Sequence, residues 1–140
     1  MMRLGALLAA GALAAGALAM RPAPATRRVE VTRFADGRVR RTSEFRNNKL
    51  DGTVREWYES GALMLVYHYR TGLSEGSQRQ WFPTGQLLTD FNHHEGHELG
   101  QQRMWNADGT IRSNYVIRDG RRYGLLGAMG CTGKAATDSL

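Results

Sequence analysis

The chain carries a single cysteine, Cys131, in 140 residues, which excludes an internal disulfide and any zinc site built from several thiolates. No cysteine follows the apolar N-terminal run at a position suited to lipid attachment, so a lipoprotein anchor is not supported. No Ser/His/Asp order and no paired carboxylates mark a catalytic constellation. The Gly-rich stretch GLLGAMGCTGK fails as a phosphate loop, because Gly127 and Gly133 enclose five residues rather than four and Ala135 follows Lys134 where a magnesium-binding hydroxyl belongs. These absences point to a non-enzyme with no cofactor, no metal and no small-molecule substrate. Acidic residues are also few, 13 against 19 Lys and Arg, for a formal charge of +6. With 41% hydrophobic and 23% charged residues, the chain otherwise has the composition of one small globular domain.

The N-terminus has a separate character. One Arg precedes a run of Ala, Leu and Gly in MMRLGALLAAGALAAGALAM, the layout of an export signal. Residues 1–25 are therefore expected to be a signal peptide or membrane anchor helix, with cleavage favoured, leaving a mature chain that begins near Met20 or Thr26. Export places the protein in the periplasm or cell envelope. Removing Arg3 and Arg21 leaves 17 of the 19 basic residues against 13 acidic ones, a charge of +4. An exported protein rarely meets nucleic acid, so the basic excess does not predict that partner.

Beyond the leader, one phrase is written three times at intervals of 24 residues: WYESGAL at 57–63, WFPTGQL at 81–87 and WNADGTI at 105–111. The alignment extends outward. Trp57, Trp81 and Trp105 coincide, as do Gly61, Gly85 and Gly109, then Leu63, Leu87 and Ile111, then Tyr67, Phe91 and Tyr115. Gly72, Gly96 and Gly120 recur as well, each followed four residues later by Gly76, Gly100 or Gly124. A degenerate earlier copy contains Gly37 and Gly52. Self-similarity at a fixed period predicts a repeat protein of four units, 29–52, 53–76, 77–100 and 101–124, followed by a C-terminal cap and flexible tail over 125–140.

Each unit has two turn signals about 11 residues apart, too close for helices and well spaced for strands. The fold expected is all-β: an elongated antiparallel hairpin meander forming a single-layer sheet of about eight strands. Pro83-Thr84-Gly85 fits a three-residue loop in which Gly85 takes the left-handed bulge position, setting Trp81 opposite Leu87. Strict alternation then gathers Trp81, Leu87 and Phe91 and their equivalents on one face, and Arg38, Arg40, Gln86, Asp90, Asn92, Arg112 and Asn114 on the other.

The pattern W-x-x-x-G-x-L, an aromatic, then G-x-x-x-G resembles the variant MORN repeat, found in bacterial proteins often labelled YwqK-type antitoxins. The resemblance covers roughly residues 33–127. It implies an elongated antiparallel meander that binds proteins or membranes, with no catalytic residues. Unlike a cytoplasmic antitoxin, this chain is expected to carry an export leader.

The candidate binding residues are Tyr67, Phe91 and Tyr115, expected to be partly exposed beyond the turn, and the basic pair Arg38 and Arg40. A protein partner at the envelope is the leading expectation; an anionic membrane surface and an antitoxin-like neutralising role are the alternatives. His93, His94 and His97 form the one cluster with metal-ligand chemistry, but adjacent strand residues point to opposite faces and the other units lack them, so they read as exposed turn residues. Cys131 reads as a small residue of a Gly-rich tail, and Leu125, Leu126 and Met129 as the cover of the last hairpin.

Overall fold

A computed structural model describes residues 24–127. The leader before Pro24, together with Met129, Cys131 and the tail expected after them, lies outside the described residues. The described chain is one open antiparallel sheet of nine strands in sequential order: β1 (Arg27–Arg33), β2 (Val39–Arg46), β3 (Lys49–Trp57), β4 (Leu63–Arg70), β5 (Leu73–Trp81), β6 (Leu87–His94), β7 (His97–Trp105), β8 (Ile111–Arg118) and β9 (Arg121–Leu125). No helix occurs among the described residues. The count is nine rather than eight because Gly52, Gly76 and Gly100 lie inside β3, β5 and β7 instead of between strands. Units cut at those glycines divide strands, and the last one closes with the start of another.

The two ends of the sheet turn differently. At one end, Asn47-Asn48, Thr71-Gly72, Glu95-Gly96 and Asp119-Gly120 each hold positive φ at both central residues, the geometry of a type I′ turn, whose twist matches that of the flanking strands. Successive turns are stitched together: the Gly72 N–H donates to the Leu50 carbonyl at 2.7 Å and the Gly96 N–H to the Ser74 carbonyl at 2.9 Å. At the other end, the Phe82 N–H donates to the Gln86 carbonyl at 2.8 Å and the Gly85 N–H to the Phe82 carbonyl at 2.9 Å. Gly85 has φ of 87°, the left-handed position expected of it. Gly61 and Gly109 repeat this at the neighbouring loops, with φ of 88° and 84°.

Trp57 pairs with Leu63, Trp81 with Leu87 and Trp105 with Ile111, as the loop length requires. The next pair breaks simple alternation. Gln80 pairs with Thr89, so Leu88 is an extra residue, a β-bulge. Arg40, Met64 and Arg112 are skipped in the same way on their strands. The bulge reverses facing: Trp81 lies one residue beyond Gln80 on an unbroken stretch of β5, whereas Phe91 shares a face with Thr89, the partner of Gln80. The tryptophans and the Tyr67/Phe91/Tyr115 series therefore occupy opposite faces, contrary to the single ladder expected from alternation.

Candidate binding face

One cross-strand row passes through Ser43, Val54, Tyr67, Gln78, Phe91, Gln102 and Tyr115, each the register partner of the next from β2 to β8. A parallel row runs through Arg41, Glu56, Leu65, Gln80, Thr89, Met104 and Ser113. Every buried residue among those described belongs to one of these rows. The sheet thus has its core on one face, built by neighbouring side chains lying over one another.

The buried row is partly polar, and a second bulge explains why. Phe91 pairs with Gln102 and His93 with Glu98, so Asn92 alone stands opposite residues 99–101 and loses its ladder partners. Gly100, with φ of 75°, makes the detour. The Gln102 side chain fills the gap: Nε2 donates to the Asn92 carbonyl at 2.7 Å and the Leu99 carbonyl at 3.1 Å, while Oε1 accepts the Asn92 N–H at 3.2 Å. Gln102 is 0% exposed. One unit earlier, beside Gly76, Gln78 donates to the His68 carbonyl at 2.8 Å. In the unit before that, Val54 occupies the position, and the Glu44 carboxylate accepts the Thr53 N–H at 3.2 Å. Gln78 and Gln102 escaped the sequence reading, although they recur at the 24-residue interval two places after the bulge glycine.

Of the three aromatics expected to be partly exposed, Tyr67 and Phe91 are half-buried, but Tyr115 is only 8% exposed. The short β9 covers it: Gly124 is its register partner and the Arg122 guanidinium carbon stands 5.3 Å from its ring centre. A side chain at Gly124 would meet the Asn114 carbonyl oxygen at 2.6 Å, so the close approach of β9 needs glycine there. Burial pushes the Tyr115 phenol above its usual pKa, and the Glu98 carboxylate raises it further. The expected hydrophobic cover is thinner. Leu126 borders a common opening with Phe91 and Tyr115, yet both Leu125 and Leu126 remain exposed.

Beside the two half-buried aromatics the face opens into a groove of about 470 Å³, walled by Tyr67, Tyr69, Leu73, Phe91, His93 and Glu98. The Tyr67 hydroxyl accepts from the Gln80 amide, and burial raises its pKa. His93 Nδ1 lies 2.7 Å from Ser74 Oγ. His94, on the next residue of the strand, pairs instead with Glu75 at 3.1 Å, and His97 is the register partner of His94. Among the described residues no group of three or more His, Cys, Asp or Glu side chains is placed to hold a metal.

The basic candidates sit elsewhere. Arg38 Nε donates to Asp36 Oδ2 at 2.7 Å in the first loop, holding that carboxyl below its ordinary pKa. Arg40 Nε lies 3.5 Å from Glu56 Oε1. Both arginines are exposed and ion-paired within the chain, and neither borders the groove. The three tryptophans, half-buried on the opposite face, take no part in it either. Comparison of the chain with protein-family models, curated proteins and solved structures finds no match.

Proposed function

We propose that this chain is an exported, non-catalytic scaffold that binds a protein partner on the face bearing Tyr67 and Phe91. The observation that carries the reading is the groove itself: two half-buried aromatics, with Tyr69 and the exposed Leu73, border an opening that nothing among the described residues fills. Aromatic side chains offer large contact area at low entropic cost, which is why they dominate binding hot spots. The nearby His93, Glu98 and Gln80 supply polar groups that fix orientation. The likeness of the 24-residue phrase to variant MORN repeats supports a binding role over a catalytic one.

The test compares two variants of the full chain in pull-downs from envelope extract at matched folded concentration. Phe91→Ser removes an aromatic from the groove, whereas Ile111→Ser changes an exposed residue on the tryptophan face. The reading requires that Phe91→Ser lose a specific co-purifying protein that wild type and Ile111→Ser both retain. Equal recovery by all three would refute it.

A further inference from the structure

The sheet is open, and its first strand leaves one edge unpaired among the described residues. Which backbone groups that edge offers follows from the end of the strand. The Thr26 carbonyl accepts the Asn47 N–H at 2.9 Å and the Thr26 N–H donates to Asn47 Oδ1 at 3.1 Å, so Thr26 turns toward β2. The N–H and C=O of one residue point the same way and alternate along a strand. Arg28, Glu30 and Thr32 therefore also face β2, and Arg27, Val29 and Val31 direct their N–H and C=O groups outward.

The side chains of those outward residues form a symmetric pattern. Glu30 is the register partner of Ser43 on the buried-row face, so Arg27, Val29, Val31 and Arg33 project together from the opposite face. Val29 is 60% exposed and Val31 46% exposed. Arg28 is ion-paired with Glu30, but no carboxylate among the described residues lies within ion-pair distance of Arg27 or Arg33. Two apolar residues are thus bracketed by two unneutralised cations at strand spacing. A second copy is a poor occupant, since antiparallel pairing of two β1 edges sets Arg27 opposite Arg33 and parallel pairing sets each beside its own kind, and like charges directly opposite are destabilising. The opposite edge of the sheet, β9, begins Arg121-Arg122 and is basic as well.

We propose that the outer edge of β1 is a strand-addition site for an acidic extended segment of a partner protein, one reading carboxylate-x-aliphatic-x-aliphatic-x-carboxylate. Main-chain bonds to Arg27, Val29 and Val31 supply the affinity, the aliphatic residues pair with Val29 and Val31, and the carboxylates neutralise Arg27 and Arg33. Because the pattern is a palindrome, it accepts the segment in either direction. The site is separate from the aromatic groove, so each can fail without the other.

The test uses the full chain and a fluorescent peptide, Ser-Glu-Thr-Val-Thr-Val-Thr-Glu-Ser, followed by anisotropy over a salt series, with the same peptide carrying Lys in place of Glu as control. Wild type should bind the glutamate peptide, less tightly as salt rises, and reject the lysine peptide. Val31→Pro removes one outward N–H without touching the bonds to β2, so it should keep the wild-type circular dichroism and weaken binding by about tenfold. Should that variant not fold, the double reversal Arg27→Glu with Arg33→Glu decides, because it must exchange the preference and select the lysine peptide. Full binding by a folded Val31→Pro, equal binding of both peptides, or failure of the reversal to exchange preference would each overturn the proposal. So would flotation of the wild type with phosphatidylglycerol vesicles in the absence of peptide binding, which would make this edge a lipid-contacting surface.

Discussion

Replacing Gln102 by Leu would keep the side chain's bulk and delete both of its amide functions. The Asn92 N–H and C=O, already without ladder partners at the bulge, would then be buried and unsatisfied. Each such group costs about 1–3 kcal/mol, so Gln102→Leu should lower stability by at least that much in urea denaturation. Val54→Leu, at the equivalent position where the Glu44 carboxylate serves the backbone instead, should cost less. An equal loss at the two sites would show that volume rather than hydrogen bonding matters there. Gly85 tests backbone geometry in isolation. A Cβ at that position meets nothing within 4 Å, yet φ is 87°, so any loss in Gly85→Val comes from the left-handed conformation alone. About 1 kcal/mol or more is expected, and a wild-type melting temperature would contradict the loop geometry.

The hairpins were legible because their turns are written in glycine at fixed spacing and their loop length dictates the Trp81–Leu87 pair. What alternation alone could not reveal was the extra residue at Leu88, since a bulge leaves no mark in a polar/apolar pattern and a single insertion exchanges the two faces. Alternation therefore places Phe91 and Trp81 on one ladder although they look in opposite directions, and it gives no sign of the groove walls Leu73 and Tyr69. Tyr67, Phe91 and Tyr115 still form one series after that exchange, and the three tryptophans with their partners form another. The opposite facing separates two roles that mutation can resolve. Trp81 stands half-buried opposite Leu87 on its own face, and Trp81→Ala should cost on the order of 3 kcal/mol, more than Phe91→Ser in a thermal melt. The stacked type I′ turns carry a pH dependence of their own. The Glu75 carboxylate accepts the Glu95 N–H at 3.0 Å and contacts His94 at 3.1 Å, and these bonds, the backbone one foremost, hold its pKa below the ordinary 4.5. A carboxyl whose pKa is lower folded than unfolded adds stability that is complete above its unfolded value and is lost as pH falls through the folded one. Glu75→Gln should therefore flatten the loss of stability below about pH 4.5, and an acid limb identical to wild type would show that the contact contributes nothing.

At the scale of the whole sheet, each strand pairs only with its neighbours in sequence, from β1 to β9. Among the described residues no strand returns to close the sheet, so the protection of a backbone hydrogen bond depends on how many paired strands flank it on each side. The ends differ in kind as well as position: all seven residues of β1 and all five of β9 are exposed, whereas the buried rows run through the interior strands. When contacts are confined to nearest neighbours, opening propagates inward from the termini, in the manner of a one-dimensional array. Native-state hydrogen exchange should therefore be graded, slowest for the amides of β4 to β7 and fastest for β1 and β9. The grade need not be symmetric, because the Arg122 guanidinium of β9 lies over Tyr115, a member of the buried row, whereas the Arg28 guanidinium of β1 stacks on Phe45, which lies outside that row. Arg122→Ala should accordingly speed exchange in β9 and the outer half of β8 while leaving β4 and β5 unchanged. Uniform protection across the nine strands would instead mark a single cooperative unit and show that the partly polar row couples the sheet from edge to edge.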